Sequence, residues 1–152
     1  TWQYVPQKIT LVSVIDGGTL KVVDTIPVGR RPRGIGLSRD GAKLYVAVGD
    51  DNRIDVVDLA TRKVEGALPS GDDPELFVLH PDGRRLFVAN ENDNMVSVID
   101  IAEKKIVAEV EVGVEPEGMG VSPDGRFVVN TSETTSMLHV IDAATLELVD
   151  NV

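Results

Sequence analysis

Short runs in which apolar and polar residues alternate dominate this chain, as in "KLYVAV" (43–48), "RIDVVD" (53–58) and "KVVDTI" (21–26). A period of two in segments rich in Val and Ile predicts β-strands, and no stretch carries a helical period. The breaks between runs have turn chemistry. In "PDG" the proline presets a turn and the glycine takes the left-handed position that closes a hairpin. In "DLATRK" and "DAATLE" the aspartate is placed to accept backbone N–H bonds of the next tight turn.

The runs recur. "VSVID" ending at Asp16, "IDVVD" at Asp58, "VSVID" at Asp100 and "LHVID" at Asp142 are each 42 residues apart. The same offset relates the "DG" turns at Asp40, Asp82 and Asp124, the prolines Pro32, Pro74 and Pro116, and the glycines Gly29, Gly71 and Gly113. A unit of this length with four short strands ("RGIGLS", "KLYVAV", "RIDVVD" and "KVEGAL" in the second unit) predicts one β-propeller blade. The expected fold is therefore all-β: a propeller of four-stranded antiparallel blades, about 3.6 of them in 152 residues. The predicted division is an incomplete first blade over 1–28, then 29–70, 71–112 and 113–152. A ring of four to eight blades is usual, so a piece of a longer propeller is expected, with ring closure by self-association if the chain is complete.

Composition narrows the partners. The formal charge is −10, which argues against nucleic acid and anionic membrane surfaces, since both call for a basic footprint. No apolar run approaches the ~20 residues of a membrane helix. The absence of cysteine excludes disulfides, thiolate metal sites and cysteine nucleophiles.

Aligned copies also separate scaffold from candidate chemistry. Asp16, Asp58, Asp100 and Asp142, like Asp40, Asp82 and Asp124, recur in their units and read as turn residues. The column after the shared proline varies instead: Arg33, Glu75 and Glu117. It enters the innermost strand, which lines a propeller's channel. The loops before it add Arg30, Arg31, Asp72, Asp73 and Glu115, so the candidate ligand-binding residues at one channel mouth are Arg31, Arg33, Asp72, Asp73, Glu75, Glu115 and Glu117. Such a mouth suits a carboxylate held by arginine or a hard cation held by oxygens, against the simpler reading of rim charges paired between neighbouring blades. Val48, Asn90 and Ser132 end the second strands ahead of "GDDN", "ENDN" and "ETTS", which read as polar hairpin loops without the calcium-loop ladder. His80 and His139 stand in unrelated local contexts and form no ligand pair, and no nucleophile lies in an elbow motif.

The segments "VSVIDGGTLKVVDTIPVGRRPRGIGLSRDGAKLYVAV", "PSGDDPELFVLHPDGRRLFVANENDNMVSVID" and "VGVEPEGMGVSPDGRFVVNTSETTSMLHVID" resemble the YVTN-type propeller repeat. Within it they are most similar to propeller proteins associated with pyrroloquinoline quinone (PQQ)-dependent catabolism. The resemblance spans roughly 12–152 and rests chiefly on "DPELF", "EPEGM" and "VVNTSETT". It implies a periplasmic or secreted bacterial protein found beside quinoprotein alcohol-oxidation systems. Residues 1–11, "TWQYVPQKITL", depart from the pattern, with Pro6 where a strand-end residue belongs, which argues against a regular second strand in the first unit.

The leading expectation is a non-enzymatic binding or scaffold module that offers a propeller face to a protein partner or small ligand. No catalytic constellation is expected, and no cofactor, with calcium or a quinone as the alternatives left open. The competing expectations are a metal-dependent, lactonase-like hydrolase using Glu75 and Glu117, and a structural or surface-layer repeat protein.

Overall fold

In a computed structural model, residues 2–6 and 10–152 are described. Four antiparallel sheets follow one another along the chain, each built from strands consecutive in sequence. The first holds β1 (Trp2–Pro6), β2 (Leu11–Asp16) and β3 (Val22–Pro27). The second holds β4 (Pro32–Leu37), β5 (Lys43–Val48), β6 (Arg53–Asp58) and β7 (Lys63–Pro69). The third holds β8 (Pro74–Leu79), β9 (Arg85–Asn90), β10 (Met95–Asp100) and β11 (Lys105–Glu111). The fourth holds β12 (Pro116–Val121), β13 (Phe127–Ser132), β14 (Met137–Asp142) and β15 (Leu148–Asn151). The chain is a β-propeller of about 3.6 blades, as its repeat predicts. A single 3-10 turn at Gly49–Asp51 interrupts the all-β pattern, and no described helix is long and apolar enough to cross a membrane.

The turn chemistry forms as expected. Gly41, Gly83 and Gly125 have φ of 71°, 72° and 73°, the left-handed region that glycine enters without a Cβ penalty. Asp40 Oδ1 accepts the Ala42 N–H at 3.0 Å, and Asp58 Oδ1 accepts the Thr61 N–H at 2.8 Å.

The core lies between sheets. Leu44, Val46 and Val48 on one face of β5 pack on Val12, Val14 and Ile26 of the preceding sheet. Tyr45 and Ala47 on its other face meet Phe77, Leu86 and Val88 of the following one. Phe87 and Val98 repeat that step against Val128 and Ile141. Central strands are thus buried on both faces, so β5 and β9 read as almost unbroken apolar runs, whereas the outer strand β11 keeps the strict alternation of a half-exposed strand.

One expectation is corrected at the start of the chain. Trp2–Pro6 forms a regular strand that pairs with β2 along its whole length, from Trp2 opposite Asp16 to Pro6 opposite Val12. Proline is tolerated there because Pro6 is the strand's last residue and β1 is an edge strand, where a missing N–H leaves no ladder bond unmade. The remainder of the departure, at residues 1 and 7–9, lies outside the described residues.

Because Phe87 is fully buried between sheets while Val149 lies exposed on the outermost strand, Phe87→Ala is expected to destabilise the fold by ~3–5 kcal/mol. Val149→Ala should stay within about 0.5 kcal/mol, with urea denaturation as the measurement.

Candidate functional site

The loop that enters each inner strand is clamped from within its own blade. The Gly29 N–H donates to Asp55 Oδ2 at 2.7 Å, the Gly71 N–H to Asn90 Oδ1 at 3.1 Å, and the Gly113 N–H to His139 Nε2 at 3.0 Å. The acceptor differs each time, but it is always buried. Glycine is needed for the approach: a Cβ on Gly29 would lie 2.5 Å from the Asp51 carboxylate, and one on Gly113 2.7 Å from the His139 ring.

Two residues further on, Arg31, Asp73 and Glu115 occupy the left-handed region, with φ of 54°, 58° and 55°. Non-glycine residues pay for that conformation, so the surroundings must hold it. Their carbonyls accept the N–H groups of Gly49, Glu91 and Glu133 at 3.0, 2.9 and 3.0 Å. The Asp73 N–H donates across the blade junction to Asn52 Oδ1 at 3.0 Å, and the Glu115 N–H to Asn94 Oδ1 at 3.2 Å. The loops of Asp73 and Glu115 are therefore tied both to their own blade and to the blade before it.

On these loops the charges meet. The inner strands β4, β8 and β12 stand side by side, which brings Arg31 and Arg33 of one blade against Asp73 and Glu75 of the next. Arg31 Nη2 bonds Asp73 Oδ1 and lies 3.2 Å from Glu75 Oε1, while Arg33 Nε bonds Glu75 Oε2. Glu75 is 1% exposed. Asp73, Glu75 and Glu91 bring one carboxylate oxygen each to within 4.8 Å of one another. Glu117 stands at the edge of this group, with Oε1 3.8 Å from Arg33 Nη2. Two candidates lie apart from it. Asp72 is exposed and linked by its N–H to Asp93, and Glu115 accepts the Thr134 hydroxyl on its own blade.

Burial drives the Glu75 carboxyl above the usual glutamate range. Arg33 pulls it down, a hydrogen bond shared with Glu91 pushes it up, and the two guanidiniums do not restore the ordinary value. The result is one buried carboxyl, raised above its ordinary value, beside Glu91 and facing two arginines.

Both histidine rings are committed to the scaffold. His80 Nε2 lies 2.7 Å from the Gly125 carbonyl of the next blade, and its Nδ1 lies 2.8 Å from Asp82. His139 also reaches Ser132 Oγ at 3.1 Å and Asn151 Oδ1 at 2.6 Å. Sequence reasoning missed the clamp and Glu91. Part of the signal was present: the strands ending at Asp58, Asp100 and Asp142 each carry a polar residue between apolar neighbours, of which Asp55 and His139 accept the glycine N–H and Ser97 accepts from Asn90, which does so in its place.

With this geometry in hand, similarity to known proteins can be stated. The model of the Cytochrome D1 heme domain family matches residues 75–152, half of the chain. The chain belongs to that family. Among solved structures, 1189 chains match, so the architecture is widespread and does not by itself specify an activity. One of them, the Kuenenia stuttgartiensis Hydrazine Synthase, superposes with a TM-score of 0.91 at 26% identity, over 99% of this chain and 45% of that one. The chain thus spans less than half the length of that structure. No curated protein matches it.

Two outcomes are expected. Asp55→Ala orphans the half-buried Gly29 N–H and leaves the Arg53 guanidinium only its 3.5 Å approach to Asp51, so a loss of about 1–3 kcal/mol is expected in denaturant unfolding. Asp55→Asn, which keeps an acceptor, should lose less. By side-chain carbon NMR, Glu75 should titrate above ordinary glutamates, moving down in Glu91→Gln and up in Arg33→Gln. The folded chain holds that proton more tightly than the unfolded one. Its contribution to stability therefore falls as pH rises from the ordinary glutamate value through the raised one.

Proposed function

We propose that this chain supplies blades of a non-enzymatic, extracytoplasmic propeller that docks a basic protein surface within a PQQ-dependent alcohol-oxidation system. The observation that carries the reading is the charge distribution at the mouth. Arg31 and Arg33 neutralise Asp73 and Glu75 at one blade junction. One blade further, Glu115, Glu117 and Glu133 follow with no arginine of their own column, and the nearest guanidinium is the 3.8 Å approach of Arg33 to Glu117. Together with the net charge of −10, this rim steers and orients a cationic partner.

The family's name raises haem, and the residues here do not fit it. Both histidine rings are engaged by protein groups on their two nitrogens. The Met119 sulfur is packed against the core 3.5 Å from Asn130 Nδ2, and the arginines of the mouth are taken by carboxylates. No step of the proposed role passes through a haem held by these blades.

The hydrolase reading draws on the three oxygens of Asp73, Glu75 and Glu91. Two guanidiniums already occupy that position, and they repel a divalent cation while using the acceptor sites it needs.

Isothermal titration against a quinoprotein alcohol dehydrogenase and a basic electron-carrier protein is the test. Binding is expected, weakening on the order of tenfold from low to physiological ionic strength, with a further loss in the Glu115→Lys, Glu117→Lys double variant. No binding at either salt level, together with lactone hydrolysis that disappears in the Glu75→Gln, Glu117→Gln double variant, overturns the proposal in favour of the hydrolase.

A further inference from the structure

The three seams between successive sheets differ at equivalent positions: two are closed and one is open. At the first, Asp24 on β3 faces Arg62 in the turn before β7, and the two form an ion pair at 2.5 Å. At the third, 84 residues on, the same positions are Ala108 and Leu146, which pack together against the apolar core around Phe87. At the middle seam the positions are Gly66 and Lys104, and nothing closes it. A Cβ on Gly66 would meet no atom within 4 Å. Among the described residues Lys104 has no ion pair or hydrogen bond, whereas its counterpart Arg62 does.

The opening is a cavity of about 210 Å3 between the second and third blades. That is smaller than the ~300–1,000 Å3 of a cleft for a drug-sized molecule, so it suits a fragment-sized ligand. Val56, Leu68 and Ile101 form its apolar walls. Tyr45 lines it as well; the residue is only 5% exposed, yet its hydroxyl has no hydrogen-bond partner among the described residues. The oxygen is not sealed within the core, so it is free to donate into the cavity. Burial, reinforced by the carboxylates of Asp40 and Glu65, holds that phenol above its usual range, so at neutral pH it remains a donor. Of the other charged residues that line the cavity, Lys43 and Glu65 pair with each other at 2.7 Å, and Lys43 also reaches Asp58, outside the lining, at 2.9 Å. The charge left over is the ammonium of Lys104.

We propose that this seam binds a small carboxylic acid with a short apolar or aromatic body. The carboxylate stands opposite Lys104, where Asp24 stands opposite Arg62 one blade earlier. The body fills the space above Gly66 and rests on Val56, Leu68 and Ile101, and the Tyr45 hydroxyl is the donor on the inner wall. An amine or a neutral molecule of the same shape leaves Lys104 unmatched and gains only the apolar contact.

The test uses benzoate as probe, with benzylamine and benzyl alcohol as controls, followed by amide NMR shifts of the full chain. Benzoate is expected to shift Gly66, Ile101 and Lys104 saturably, with a dissociation constant on the order of 1 mM as befits so few atoms. Gly66→Asp should weaken it by roughly tenfold or more, because it fills the space and supplies Lys104 with its own carboxylate. The fold tolerates this change: the position is open, and Asp24 occupies its equivalent. Lys104→Gln and Tyr45→Phe should each weaken binding by about threefold or more, with unfolding midpoints near that of the parent. Benzoate shifts elsewhere only, equal affinity in Gly66→Asp, or equal binding of benzylamine would each overturn the assignment.

Discussion

The loops that lead into β4, β8 and β12 each depend on one backbone hydrogen bond: a glycine N–H ahead of the strand, held by a buried acceptor behind it. That bond draws the loop so close that no side chain fits at Gly29 or Gly113. Only then does the chain turn into the left-handed conformation at Arg31, Asp73 and Glu115, whose carbonyls, and for Asp73 and Glu115 also N–H groups, are satisfied by neighbouring loops. A left-handed arginine or glutamate would otherwise relax. The cost is offset because all three carbonyls, and the N–H groups of Asp73 and Glu115, have partners, so these charged side chains emerge from a held base rather than a free loop.

That arrangement explains why the acceptor is free to vary while the bond persists. An aspartate, an amide and an imidazole all present a lone pair to the glycine, and each brings a different second partner: Arg53 for Asp55, Ser97 for Asn90, Ser132 for His139. A buried donor left unpaired is more costly than any difference among these acceptors. Asp55 and His139 act from the third strand and Asn90 from the end of the second, so a polar acceptor at this point persists while its identity and its strand do not.

The same distinction sets what could be read from the sequence. The 42-residue register, the strands and the "DG" turns were legible because each has a local chemical cause, such as alternation, proline or a left-handed glycine. The charged column at the mouth was legible as a column, but its pairing across blades was not, since Arg31 and Asp73 meet only through the side-by-side placement of β4 and β8. The left-handed residues were hidden because arginine, aspartate and glutamate do not announce that conformation as glycine does. Glu91 was hidden because it belongs to a hairpin loop that reaches the mouth only when the loop carrying Asp73 binds its N–H. In the first unit, Pro6 suggested a broken strand because proline is read as a breaker, while its effect depends on whether a neighbouring strand needs its N–H.

A repeated backbone also lets each blade junction serve as the reference for the next. Where Arg31 and Arg33 face Asp73 and Glu75, opposite charges meet at close range and the buried Glu75 is partly compensated. Advance by one repeat and the same backbone offers Asp73 and Glu75 on one side and Glu115 and Glu117 on the other. Like charges at such positions cost free energy unless water, distance or another molecule separates them. The structure uses distance and a local bond: Glu115 turns to the Thr134 hydroxyl, and Glu117 remains at the rim near Arg33. Neither device neutralises the excess. A sheet geometry that accepts compensated charge at one junction and uncompensated charge at the next is indifferent to that charge as a fold, because the backbone bonds that shape the two loops are the same.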